Sequence, residues 1–140
     1  MISTESAAAL RQAGLVWRPA SGDRFQLNEP EFDADVFTVS DMTIEPRSYS
    51  TGSILAFNGT TEWALDSVAL EDALWLPHES QLREMLRTAF RALRRLPDTY
   101  EVEIAVRRPE GTGEDVFAFQ HPEPADAYAL AVLELLRRIA

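Results

Sequence analysis

The side chains able to do acid-base, nucleophilic or metal chemistry in this chain are few, and their spacing excludes more than it supports. His78-Glu79 opens like the zinc-binding helix motif H-E-x-x-H, in which two imidazoles one helical turn apart hold the metal, but position 82 is Leu82. The second ligand is missing. His121 is the only other imidazole and stands beside Pro122, so both histidines read as surface or capping residues and no metal is expected. Glu29, Glu31, Asp33, Asp35 and Asp41 lack the glycine and closing glutamate of a calcium loop and read as a solvated acidic loop. Gly111-Thr112-Gly113 lies between two strand-like stretches and precedes Glu114 and Asp115, which repel phosphate, so it reads as a hairpin turn. There is no G-x-S-x-G nucleophile elbow.

Cysteine and lysine are both absent. That removes thiolate nucleophiles, Cys-ligated metals, Schiff-base chemistry and the P-loop lysine that reaches the phosphates. Glu62, beside Trp63, and Asp66 are the acids that a hydrolase or a small-ligand-binding protein would use. No catalytic residue and no cofactor is assigned.

Two patterns suit recognition better than catalysis. The run Phe57-Asn58-Gly59-Thr60-Thr61-Glu62-Trp63 sets two aromatics around a turn dense in hydrogen-bonding groups, and Trp75 brings a further indole just before Pro77. Aromatic side chains with polar neighbours are the usual material of binding surfaces. Asn58, Gly59, Thr60, Thr61, Glu62, Trp63 and Trp75 therefore form a candidate recognition surface. The competing reading makes Trp63 and Trp75 core residues whose indole N–H finds a local acceptor. The second pattern is Arg83, Arg87, Arg91 and Arg94, which at about 100° per residue fall within an arc of about 80° if one helix carries them. An acidic partner, a phosphate backbone or the chain's own Glu101 and Glu103 would meet such a basic stripe.

These residues need elements to hold them. Ser3 or Thr4 caps a helix through Ala7 to Leu10, with Gly14 as its left-handed stop. Phe25 to Leu27, Val36 to Val39 and Ile54 to Phe57 read as strands, residues 46 to 53 as a surface loop, and Trp63 to Leu65 as the strand returning from the Asn58-Gly59 turn. Pro77 suits the first turn of a central helix whose apolar face is Leu82, Met85, Leu86, Ala89, Phe90, Leu93 and Leu96, ended by Pro97-Asp98. Tyr100 to Arg107 alternates as a half-buried strand, and Val116 to Gln120 is its hairpin partner. The closing helix places Tyr128, Val132, Leu135, Leu136 and Ile139 on one face, widened by Leu130 and Leu133. It should be the most buried helix. The expectation is a single α+β domain over residues 1 to 140, a mainly antiparallel sheet packed by an N-terminal, a central amphipathic and a buried C-terminal helix.

Composition sets the partners. At 140 residues, 46% apolar and 26% charged, the chain has the profile of a globular domain. The net charge of -10 is uneven: residues 1 to 80 carry 13 acids against 4 arginines, residues 81 to 140 carry 10 against 9. A polyanion needs a basic footprint, so nucleic acid and anionic membrane are disfavoured and a protein partner is expected. Residues 29 to 45 also fit an acidic immunity or antitoxin-like protein that masks a basic partner. The opening MISTESAAALRQAG does not read as a signal peptide, and the apolar run Ala127 to Leu133 is far short of the ~20 residues a membrane span needs. A cytoplasmic setting is the expectation.

Val36 to Glu45 (VFTVSDMTIE), Phe57 to Val68 (FNGTTEWALDSV), Ala73 to Leu86 (ALWLPHESQLREML) and the closing DAYALAVLELL resemble a family of short actinobacterial proteins without an established function. The likeness runs over nearly the whole chain. Members often bear a transferred label of pilus assembly protein; with no P-loop and no lysine, this chain does not fit that label in the sense of an assembly ATPase. The family assigns no catalytic residues, so the resemblance carries none over.

Overall fold

A computed structural model describes residues 1–28, 35–40, 44–49, 52–57 and 67–139, with the backbone alone described over 44–49, 52–57 and 67–68. It is α+β, with every strand pairing antiparallel. Among the described residues the strands are arranged in three three-stranded sheets. The chain divides into two compact units, one made of Met1–Leu15 with Pro77–Ala140, the other of Val16–Leu76.

In the first unit, helix α1 (Thr4–Gln12) begins where Ser3 Oγ accepts the Ser6 N–H at 3.1 Å. It ends as expected at Gly14, whose φ of +109° few other residues adopt. Gly14 N–H bonds to Arg11 C=O and Leu15 N–H to Leu10 C=O, each at 3.0 Å, so the last-turn carbonyls are satisfied by the turn itself. Leu10 is fully buried beneath.

The central helix is shorter than its periodicity predicts. Helix α2 covers only Glu79–Leu86; Arg87, the one non-glycine residue with positive φ among those described, turns the chain through a 3₁₀ stretch (Arg87–Ala89) into strand β7 (Phe90–Arg95). Pro77 precedes the cap, His78, whose N–H donates to Gln81 Oε1 at 2.8 Å. Leu82 and Leu86 are core, but Leu93, expected on the same apolar stripe, is 40% exposed. The spacing of Phe90 and Leu93 fits a helix and, with the bulge between Phe90 and Ala92, also a strand, and cross-strand pairing decided it. Leu93 lies opposite Val102 and Arg94 opposite Glu101 on strand β8 (Tyr100–Arg107), so these residues complete a ladder that a helix forgoes. Pro97-Asp98 is the hairpin turn, closed by Leu96 N–H to Thr99 C=O at 2.8 Å.

Strand β8 is central and pairs along its whole length with β9 (Glu114–His121), as its alternation predicts. Val102 and Ile104 are buried on the inner face, against which helix α3 (Pro124–Ile139) packs. α3 is the most buried helix, though burial is concentrated in Ala125 to Ala129 and Ala131 to Leu133, while Ile139 is 80% exposed. Alanines let the α3 backbone approach the sheet closely, and in the last turn Arg137 is exposed while the Arg138 guanidinium lies over the Phe117 ring of β9 at 4.6 Å and pairs with Glu134 at 3.1 Å.

In the second unit, β1 (Arg24–Leu27) sits between β2 (Phe37–Thr38) and β6 (Ala73–Leu76). A second sheet has the order β3 (Ile44–Tyr49), β4 (Gly52–Phe57), β5 (Ser67–Ala69). Residues 46 to 53, expected as a loop, thus belong mostly to a β3–β4 hairpin in which Pro46 pairs with Leu55. Proline reads as a breaker, but β3 is an edge strand with one side that has no ladder bonds to lose. β4 finds its return partner in β5, Leu55 opposite Val68, rather than at Trp63 to Leu65, which fall outside the described residues.

Candidate functional site

Strand β1 builds the site from its own alternation. Residues directly opposite in an antiparallel pair share a face, and Phe25 lies opposite both Phe37 and Trp75 while Leu27 lies opposite Ala73. Phe25, Leu27, Ala73 and Val39 form a buried cluster, with Trp17, Phe37 and Leu70 packed on it. The rings run in a ridge: Trp17 is stacked on Trp75 (centroids 6.3 Å apart, planes 11° apart) and tilted on Phe25 at 5.5 Å, and Phe25 stacks on Phe37 at 5.5 Å. Such ring pairs contribute about 0.5–1.5 kcal/mol each beyond the area they bury.

The two stacked indoles differ in one respect. Trp17 Nε1 donates to Asp23 Oδ2 at 2.9 Å, an oxygen that also accepts Ala20 N–H at 3.1 Å. Asp23, 4% exposed, is held by its own backbone: Asp23 C=O accepts Val39 N–H and Val39 C=O accepts Gly22 N–H, both at 2.8 Å. Trp75 Nε1 is equally shielded but has no hydrogen-bond partner among the described residues. Among the described residues a local acceptor is thus found for the indole of Trp17 and not for that of Trp75, which is half-buried on β6, an edge of the described sheet.

The same substitution should act differently at the two rings. Trp17→Phe leaves the buried Asp23 carboxylate short of a donor and should cost about 1–3 kcal/mol beyond the lost ring area, whereas Trp75→Phe removes a donor already unpaired and carries no such cost. Urea denaturation of the two variants side by side checks this; equal losses would mean that the Trp17–Asp23 bond adds nothing.

The remainder of the candidate recognition surface, Asn58 to Trp63, and Asp66 lie outside the described residues, as do Glu29, Glu31, Asp33 and Asp41 of the acidic stretch; Asp35 is exposed. The basic stripe is corrected by the short α2. Arg83 alone lies on the helix, and its guanidinium meets the Tyr128 hydroxyl; Arg87 occupies the turn, and Arg91 and Arg94 are on β7. Burial pushes the Tyr128 phenol up, the Arg83 charge opposing it. Arg91 pairs with Glu114 at 2.7 Å, and Arg94 reaches Glu101 at 3.3 Å and Glu103 at 3.0 Å, the strand acids that the sequence offered as partners. Two of the four arginines are thus engaged with the sheet's own carboxylates. His78 caps α2, as a scattered histidine was expected to.

A third polar constellation escaped the sequence reading. Asp126, 3% exposed in the first turn of α3, accepts both the Ser3 N–H (3.0 Å) and the Ser3 hydroxyl (2.9 Å), with His121 Nδ1 3.8 Å from its other oxygen. Burial pushes its pKa up, but the bonds from Ser3 and Ser6 and the nearby imidazole prevail and hold it below the ordinary aspartate value. Ser, His and Asp here are not a hydrolytic triad. Ser3 Oγ donates to the carboxylate and accepts from Ser6, and His121 Nδ1 accepts the Glu123 N–H at 3.0 Å, so the imidazole is not placed to take the hydroxyl proton. The cluster fastens the start of α1 to the start of α3, helped by the Met1 ammonium on Glu123 at 3.0 Å. No group of three His, Asp or Glu side chains among the described residues is arranged to hold a metal ion.

No family model, curated protein or solved structure matches this chain. Its function must be argued from its own residues. Trp17 and Asp23 were legible only as an aromatic and an acid flanking Pro19 and Gly22, and their bond is what the tight turn between them creates. Asp126 had no local signal for its hydrogen bonds, whose donor Ser3 is 123 residues away in sequence.

Proposed function

We propose that the protein is a non-enzymatic interaction or regulatory domain, acting in the cytoplasm on a protein partner, with Trp75 as the described part of its recognition surface and Asn58 to Trp63 as the remainder. The observation that carries this is the shielded indole N–H of Trp75, which has no partner among the described residues, beside a stacked twin whose own N–H is satisfied. Leaving a buried donor unmade costs about 1–3 kcal/mol, and a fold that solves the problem at Trp17 retains it at Trp75. Such a group is accounted for by a partner that supplies the acceptor. Strand β6, which among the described residues is paired only by β1, gives that partner a place to bring a backbone carbonyl alongside. No helix of the described residues is long and apolar enough to cross a membrane, which is compatible with this setting.

The experiment is affinity capture from the native host with wild type, Trp75→Phe, Thr60→Ala/Glu62→Ala and Arg87→Glu/Arg91→Glu, each at low and at high salt. The proposal requires a protein that wild type and the arginine variant recover and the first two variants lose. It also requires retention in salt, since an aromatic contact is not screened. If the captured protein is lost steeply with salt and all variants recover it alike, the acidic-masking reading replaces this one.

A further inference from the structure

The two edges of the β7–β8–β9 sheet are built differently. β7 carries Arg91, Arg94 and Arg95 and breaks register at a bulge between Phe90 and Ala92, two of the devices by which proteins keep an edge from pairing. β9 has no bulge, and its acidic charges, Glu114 and Asp115, are confined to its first two residues. Its eight residues, Glu114 to His121, keep unbroken register with β8 and contain no lysine, arginine or proline, and no strand among the described residues pairs with its outer side. Val116, on the outer face of the same strand, is 62% exposed.

The sequence of β9 is complementary to itself. Glu114, Val116, Ala118 and Gln120 lie on the outer face, opposite Arg107, Ala105, Glu103 and Glu101; Asp115, Phe117, Phe119 and His121 lie on the inner face. An antiparallel pairing of two β9 strands about a two-fold axis must set like faces together, which restricts the axis to residue positions rather than the gaps between them. Centred on Ala118, it places Asp115 opposite His121 of the second copy, Phe117 opposite Phe119, Val116 opposite Gln120, and the two small Ala118 side chains on the axis. Asp115 Oδ1 already accepts Arg108 Nε–H at 2.9 Å, and Glu114 lies opposite Pro122 only at the outer end of the ladder. Each off-axis pair occurs twice. His121 Nδ1 already accepts the Glu123 N–H, so a neutral ring carries its proton on Nε2 and has that donor for the carboxylate. Moving the axis to Phe117 sets Asp115 against a phenyl ring, and moving it to Phe119 sets Asp115 against Glu123 and draws Pro122 from the end of the ladder to a place opposite Val116. Only the Ala118 register combines opposite polarity with aromatic cross-strand pairs.

We infer that the protein forms a two-fold dimer by antiparallel pairing of β9 with β9 of a second copy, centred on Ala118, joining the two three-stranded sheets into one of six strands. This inference uses none of the residues of the Trp75 site and does not depend on that reading.

The full-length chain tests it by sedimentation over about 1 μM to about 1 mM. Wild type should pass from monomer to dimer. Ala118→Lys should remain monomeric throughout, because it sets two cations on the axis, while circular dichroism shows it folded; the position is exposed in the single chain. Register is read by cross-linking, clean in a chain that has no cysteine. Ala118→Cys should link to itself with a short bis-maleimide, and Val116→Cys should link to Gln120→Cys in a mixture but not to itself. A wild type that stays monomeric across the series, a dimer that Ala118→Lys leaves intact, or links in another pattern would each overturn the inference.

Discussion

Replacing Phe25 with alanine should cost about 3–5 kcal/mol, the largest loss expected from any single truncation in the Val16–Leu76 unit. Phe25 is fully buried, stacks on Phe37, tilts against Trp17 and lies across the ladder from Trp75, so its removal empties the centre of the cluster rather than its rim. The surrounding groups are backbone-paired strands that collapse poorly into a cavity, which places the cost toward the upper part of the range. Urea denaturation measures it, and tryptophan emission should move to longer wavelength as Trp17 and Trp75 lose their packing. Val16→Ala, at a site 72% exposed in the same unit, is the control and should change stability by less than about 0.5 kcal/mol. A Phe25→Ala loss no larger than the control's would show that the aromatic cluster is not the core of this unit.

Asp126→Ala should cost about 3 kcal/mol at neutral pH, because the ionised carboxylate accepts two bonds from Ser3 and its loss strands those donors in a partly buried position. The effect has a pH signature. Asp126 is held below its ordinary pKa in the folded chain, so its contribution is present in full above the unfolded value of about 3.9 and is lost as pH falls through the lower folded value. Denaturation of wild type and variant at pH 7 and pH 5 should therefore show the same gap, and the gap should narrow below about pH 4. A gap independent of pH down to the acid limit would mean that Asp126 contributes by packing and not as a charge.

What the sequence made legible was what local chemistry determines. Ser3 and Gly14 bound α1 because a side-chain cap and a positive φ are properties of single residues, and β8 with β9 follow from strict alternation. The error at Arg87 to Leu96 has a physical cause. Apolar residues three apart satisfy a helix and, with a bulge, an edge strand, and the choice lies with Val102 and Glu101 across the ladder, which no local window contains. Proline misled at residue 46 for a related reason, since its cost depends on whether the strand is internal or at an edge. The site shows the same division. Trp75 stood out as an aromatic next to a helix start, but its distinguishing property, a donor left unpaired beside a satisfied neighbour, exists only once Trp17, Asp23 and Phe25 are brought together.

The central claim is that Trp75 spends its indole N–H on a partner. Its most direct test is the dissociation constant of the captured partner for wild type and for Trp75→Phe, measured on chains whose unfolding curves have first been compared. The account predicts binding at least about tenfold weaker for Trp75→Phe, the equivalent of about 1.4 kcal/mol, with no loss of fold stability beyond the smaller ring. Equal dissociation constants would contradict it.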